Sequence, residues 1–152
     1  MTHEYFMREA LTEAQSAANR EEVPIGCVIV FNNQIIARSS NMLEESQDPT
    51  SHAEILAIKQ ASEVIGSRRL LDCTLYVTLE PCPMCAGAIV NARIPTLVYA
   101  ASDPKAGACD TLYSITNDSR LNHRCTVLSG VLAEESANLL RTFFKSLRNK
   151  TD

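Results

Sequence analysis

The chain has 152 residues, 45% of them hydrophobic, which is the size of one domain with enough apolar material for a buried core. A formal net charge of −4 carries no basic excess of the kind that marks nucleic-acid binders. The first residues lack the apolar run of an export signal, and no later stretch approaches the ~20 apolar residues that cross a bilayer, so a cytoplasmic chain with no membrane partner is expected.

Residues 4–19 place Tyr5, Phe6, Ala10, Leu11, Ala14 and Ala17 at helical spacing behind Thr2, an expected N-cap. IGCVIVF and QIIARS flank Asn32-Asn33 and predict a hairpin, because asparagine tolerates positive φ. Residues 40–51 read as a polar loop delivering Thr50 or Ser51 as the cap of a helix from about His52 to Val64, stopped near Gly66. Residues 73–79 read as a buried strand broken by Glu80-Pro81, with a helix beginning at about Cys82. A strand at 96–101, a loop at 102–111, a strand at 125–130 and a helix from about Ala133 to Arg148 complete the series. This order predicts an α/β three-layer sandwich: a five-stranded mixed sheet flanked by helices, in one domain spanning 1–152.

Six cysteines in a reducing compartment serve as ligands, nucleophiles or core filler rather than disulfides. Cys27, Cys73, Cys109 and Cys125 have no close partner in sequence and are read as buried apolar residues. Cys82 and Cys85 differ: they lie three apart at a helix start, where the backbone dipole favours thiolate. With His52 they offer the three N and S ligands of a catalytic zinc, the fourth position being left to water. His52 and Glu54 are two apart, a spacing that diverges within a helix, so they converge only beyond a helix end. The expected site therefore lies between two facing helix N-termini. A structural four-ligand site would need another Cys or His pair, and a thioredoxin-like dithiol would stand earlier in the fold. His-x-Glu followed by Pro-Cys-x-x-Cys is the pattern of zinc-dependent nucleobase deaminases, in which the glutamate is an acid/base and not a ligand.

Beyond these motifs, the stretches EVPIGCVIV, DPTSHAEILAI, LYVTLEPCPMCAGAIV, ASDPKAGA, LNHRCTVLSGVL and FFKSLR resemble the bacterial tRNA adenosine deaminases of the TadA family, with a cytidine deaminase-like fold. The resemblance implies a homodimer that converts the wobble adenosine of a tRNA anticodon stem-loop to inosine, with one Zn2+ per chain. It implies zinc on His52, Cys82 and Cys85, and proton transfer by Glu54. Asn41 matches a residue at the purine edge, Asp103 and Lys105 match a segment beside the flipped nucleotide, and Phe144 and Arg148 match positions on the last helix that hold the anticodon loop. The chain departs at Asp110, where a glycine is usual, and in its short basic tail of Arg141, Lys145, Arg148 and Lys150; both weaken attraction to phosphate. Two other functions share parts of the pattern. One is a deaminase of free guanine or cytidine; the other is a non-catalytic zinc-stabilised RNA-binding protein, which would have no use for the carboxylate of Glu54.

Overall fold

The computed structural model describes residues 1–151. Helix α1 spans His3–Asn19, entered through an extended Thr2 whose hydroxyl accepts the Tyr5 N–H at 3.0 Å. Strands β1 (Gly26–Phe31) and β2 (Gln34–Ser40) pair antiparallel about Asn32 and Asn33, which take φ of 50° and 62° as the turn requires. Helix α3 (Ala53–Ile65) ends at Gly66, whose φ of 77° closes the last turn in the left-handed region. Strand β3 (Cys73–Leu79) pairs antiparallel with β1 and parallel with β4 (Thr96–Ala101), and β5 (Thr126–Leu128) continues parallel to β4. The sheet order is β2-β1-β3-β4-β5.

Alternation along the strands sorts two apolar layers. Leu75 and Val77 join Ile29, Leu97 and Tyr99 under Ala53, Ala57 and Ala61 of α3 and Ala86 and Ile89 of helix α4 (Pro83–Asn91). Tyr76 turns the other way, to Val28, Val98 and Ala100 beneath Phe6, Met7 and Ala10 of α1. The last helix, α5 (Ala133–Thr151), is tied to the sheet by Ser136, whose buried hydroxyl donates to the Thr78 carbonyl at 2.5 Å. Because β3 and β4 are parallel, the chain must cross over between them, and α4 makes that crossover. Its N-terminus therefore stands at the carboxyl end of β3, the end of a parallel sheet at which ligands bind.

Four local expectations are corrected. Residues 40–51 are not wholly loop: Leu43–Ser46 forms a short helix, α2, because the buried Glu22 carboxylate accepts the N–H groups of Glu44 (3.2 Å) and Glu45 (2.7 Å) at its start. Helix α4 begins at Pro83, one residue later than expected, with Cys82 as its N-cap. The β5 strand is three residues long, since the Cys125 N–H goes to the Thr116 carbonyl and Gly130 turns away at φ 84°. Helix α5 runs past Arg148. Between β4 and β5 the chain makes one 3-10 turn, Ile115–Asn117. Among the described residues no helix is long and apolar enough to cross a membrane.

Candidate metal and active site

His52 is the residue before α3, extended at φ −72° and ψ 151°, and its side chain makes no capping bond. Its ring is consequently free of the helix register, which resolves the two-residue spacing to Glu54: the histidine leaves from beyond the helix end while the glutamate sits on the first turn. Cys82 stands in the same way before α4, at φ −75° and ψ 174°, with Cys85 on that helix's first turn. The two helix starts meet so that His52 Nδ1 lies 3.6 Å from Cys82 Sγ and 3.5 Å from Cys85 Sγ. All three donor atoms lie within 4.8 Å of one another, a group that could hold a metal ion. Cys85 is buried and Cys82 and His52 are half-buried, so the group opens on one side.

The side chains alone form a strongly coupled set. Hydrogen bonding from the Cys85 thiol, with His52 and backbone help, holds the Cys82 pKa at about 4 against its burial. Cys85, bonded to that thiolate, is pushed far up, and His52 is raised by its hydrogen bond to Cys82. Burial pushes the Glu54 carboxyl up to about 7, against its own backbone amide and the charge of His52. Only 4% of Glu54 is exposed, yet the carboxyl bonds the Cys85 thiol, so it stands beside the group. A buried carboxyl near neutrality can both take and return a proton.

Neither Thr50 nor Ser51 caps α3. The cap comes from Asn41, twelve residues upstream and buried, whose Oδ1 accepts the Ala53 N–H at 2.9 Å. Fixing the oxygen leaves the Nδ2 amide hydrogens of Asn41 to donate elsewhere. Its backbone carbonyl accepts from Arg20 at 3.3 Å. Asp103 and Lys105 lie together on the loop after β4: the Asp103 carboxylate accepts the Lys105 N–H at 3.0 Å and the Ala106 N–H at 3.3 Å. Lys105 is exposed.

Phe144 and Arg148 are not brought into this cluster. Both are exposed on α5, Phe144 edge-on to Phe143 with ring centroids 5.4 Å apart. The end of α5 is nevertheless linked toward Asn41: Lys150 pairs with Glu21 at 2.6 Å, and the neighbouring Arg20 bonds Asn41. Arg141 faces Glu134 at 3.8 Å. Asp110 is exposed, with its carboxylate accepting the Tyr99 hydroxyl at 2.6 Å.

Sequence reasoning missed Glu80, which it treated only as part of a strand break. The residue is 2% exposed and accepts hydrogen bonds from the loop bearing Asp103 and Lys105. Burial raises its carboxyl, but bonds from Thr111 and from the Asp110, Asp103 and Cys109 amides outweigh that and hold it below the ordinary glutamate value. A carboxylate at the end of a buried strand, two residues before a candidate ligand cysteine, was the available signal.

Comparison with known proteins adds to this geometry. A family model described as MafB19-like deaminase matches residues 1–148. A tRNA-specific adenosine deaminase of Streptococcus pyogenes is 51% identical over 146 residues, covering 96% of this chain and 92% of that relative. A solved chain from work on A-to-I editing by tRNA deaminases at the wobble position of transfer RNA superposes with a TM-score of 0.86 at 48% identity, covering 90% of this chain and 99% of its own length. A guanine deaminase of Bacillus subtilis superposes less closely, with a TM-score of 0.65 at 38% identity over 74% of this chain and 82% of its own.

Proposed function

This chain belongs to the MafB19-like deaminase family, and on that premise we propose that it hydrolytically deaminates the wobble adenosine of a tRNA anticodon to inosine, releasing ammonia. The observation that carries the reading is Glu54, a buried carboxyl with a pKa near 7 that stands beside a three-donor metal group without belonging to it. A structural metal site has no use for such a group. The substrate follows the nearer likeness, since the wobble-editing chain matches more of this one, and at higher identity, than the guanine deaminase does.

The donors suit zinc. A tetrahedral zinc with ordinary Zn–N and Zn–S bonds has an N···S edge of about 3.5 Å, and the His52 Nδ1 to Cys82 and Cys85 distances are 3.6 and 3.5 Å. His52, Cys82 and Cys85 would hold one Zn2+ per chain. When bound, the metal supplies a water made acidic enough to act near neutral pH.

The remaining work falls to the chain's own side chains. Glu54 takes a proton from the attacking water and passes it to the adjacent ring nitrogen as the new C–O bond forms. It then takes the second proton from the new C–OH and delivers it to the exocyclic amine, so that the C–N bond breaks, the C=O forms and ammonia leaves. Asn41, its oxygen held by Ala53, donates from Nδ2 to the purine edge. Asp103 and Lys105 hold the flipped nucleotide and its neighbours, while Phe144 and Arg148 receive the anticodon loop by stacking and charge. Met84, Leu112 and Tyr113 are exposed apolar or aromatic side chains that a second copy would cover in a homodimer. The whole of 1–152 acts as one cytoplasmic domain.

Incubating the zinc-loaded protein with an anticodon stem-loop bearing wobble adenosine, beside free guanine, adenosine and cytidine, tests the reading through ammonia release. Turnover is expected on the stem-loop. Turnover confined to guanine would assign the chain to the free-base deaminases, and ammonia from none of the substrates would support a binding role without catalysis.

A further inference from the structure

Glu80 occupies a position that the deamination chemistry does not use. It follows β3 directly and lies two residues before Cys82, and almost none of it is exposed. Among the described residues no lysine or arginine forms a salt bridge with it. Its partners come instead from one loop. Oε2 accepts three successive backbone N–H groups, from Cys109 at 3.1 Å, Asp110 at 2.9 Å and Thr111 at 3.0 Å. Oε1 accepts the Asp103 N–H at 3.1 Å and the Thr111 hydroxyl at 2.5 Å. Three consecutive amides converging on one oxygen make an anion nest, here filled by the chain's own carboxylate.

Gly107 supports this independently. A Cβ there would lie 2.5 Å from Glu80 Cδ and 2.6 Å from the Asp103 carbonyl oxygen, so the glycine is required by space and not by an unusual φ. The loop is also stitched to the start of α4 by the Ala108 N–H, which donates to the Pro81 carbonyl at 2.9 Å. The segment so wrapped, 103–111, carries Asp103 and Lys105.

We infer that Glu80 is a positioning residue: by gathering the 103–111 loop around one carboxylate at the start of α4, it fixes where the substrate-facing side chains of that loop stand relative to His52, Cys82 and Cys85. The importance of the loop to substrate rests on the tRNA deaminase reading; the gathering of the loop by Glu80 does not. Every backbone group facing the carboxylate is a donor, so an amide NH2 in place of either oxygen meets N–H groups head-on. Charge-assisted bonds of this kind are also stronger than those to a neutral acceptor.

Glu80→Gln separates the possibilities through two readouts. The first is backbone amide exchange over 103–111, which needs no substrate: exchange is expected to speed up by roughly ten-fold or more, as buried donors lose their acceptor, with zinc stoichiometry unchanged. The second is steady-state kinetics on the stem-loop: KM should rise by roughly ten-fold while kcat stays within about three-fold, the pattern of lost substrate binding. Thr111→Val removes one donor and leaves the backbone intact; it should move both readouts in the same direction by less, and it decides the matter if Glu80→Gln does not fold. Wild-type exchange over 103–111 would overturn the inference. So would a parallel loss of zinc and kcat at constant KM, which would make Glu80 a support for the cysteines and not for the loop. If the wild-type protein fails to deaminate the stem-loop, the functional reading falls, and the exchange measurement still decides the role of Glu80.

Discussion

Asn41 is placed to do two things with two different atoms, and substitution can separate them. Its Oδ1 caps α3 through the Ala53 N–H at 2.9 Å, a donor with no alternative because Ala53 is fully buried and His52 makes no capping bond. Asn41→Ala strands that donor away from water. A lost N-cap costs about 0.5–2 kcal/mol and a buried unsatisfied amide about 1–3 kcal/mol, so about 2 kcal/mol is expected, or a fall in Tm of roughly 5 °C for a chain of this size. Because the capped turn carries His52 and Glu54, metal affinity should fall with it. Asn41→Asp keeps an acceptor at a helix N-terminus, where negative charge is favourable, and should melt within about 2 °C of the parent. It lacks the Nδ2 donor, so its kcat/KM on the stem-loop should fall roughly 10- to 100-fold, the range for one lost hydrogen bond in a buried site. Thermal melts, metal content and kinetics on both variants form the assay. An alanine variant that melts like the parent would refute the capping argument, and a fully active aspartate variant would refute the donor role.

Glu54→Gln should bind zinc as the parent does and lose about 10²- to 10⁴-fold in kcat, the usual worth of a general acid–base; comparable turnover would mean the proton shuttle lies elsewhere. Burial pushes Cys109 to about 12 and Cys125 to about 11 and raises Cys27 and Cys73. A thiol is neutral below its pKa, so at pH 8 a disulfide reagent should find none of these four in the folded protein, and chelation should expose the half-buried Cys82 first. Labelling of Cys109 or Cys125 before Cys82 would contradict the packing. On α5, Lys145→Ala and Arg148→Ala should each lower the log–log salt slope of stem-loop binding by roughly 0.7. Slopes equal to the parent's in both variants would remove α5 from the RNA interface.

The features legible in the sequence were those whose causes are local. Asn32-Asn33 announced the hairpin, Thr2 the first cap and Gly66 a helix end, because each acts through its own backbone. The gathering of three donors that could hold a metal was also legible, since Cys82 and Cys85 are neighbours on one helix start and His52 and Glu54 on another. Features set by distant partners were not. Helix α2 exists through Glu22, about twenty residues away, and the cap of α3 is supplied by Asn41 in place of the adjacent Thr50 or Ser51. The start of α4 was legible to within one residue, because Pro81 and Pro83 bracket Cys82, its N-cap. The hydrogen bond that Asp110 accepts from Tyr99, eleven residues back on β4, was invisible in the local sequence. Glu80 was hidden for the same reason, since its worth lies in a loop that begins more than twenty residues later.

The proposed reaction is hydrolysis at one base by Glu54 and a metal held on His52, Cys82 and Cys85. Its most direct test is to incubate the zinc-loaded protein with the wobble-adenosine stem-loop in heavy-oxygen water, then digest the RNA and measure its nucleosides by mass spectrometry. One inosine per stem-loop is expected, bearing one solvent oxygen per ammonia released, with no such product from the Glu54→Gln protein under the same conditions. Inosine without solvent oxygen, or an unmodified stem-loop beside a deaminated free base, would contradict it.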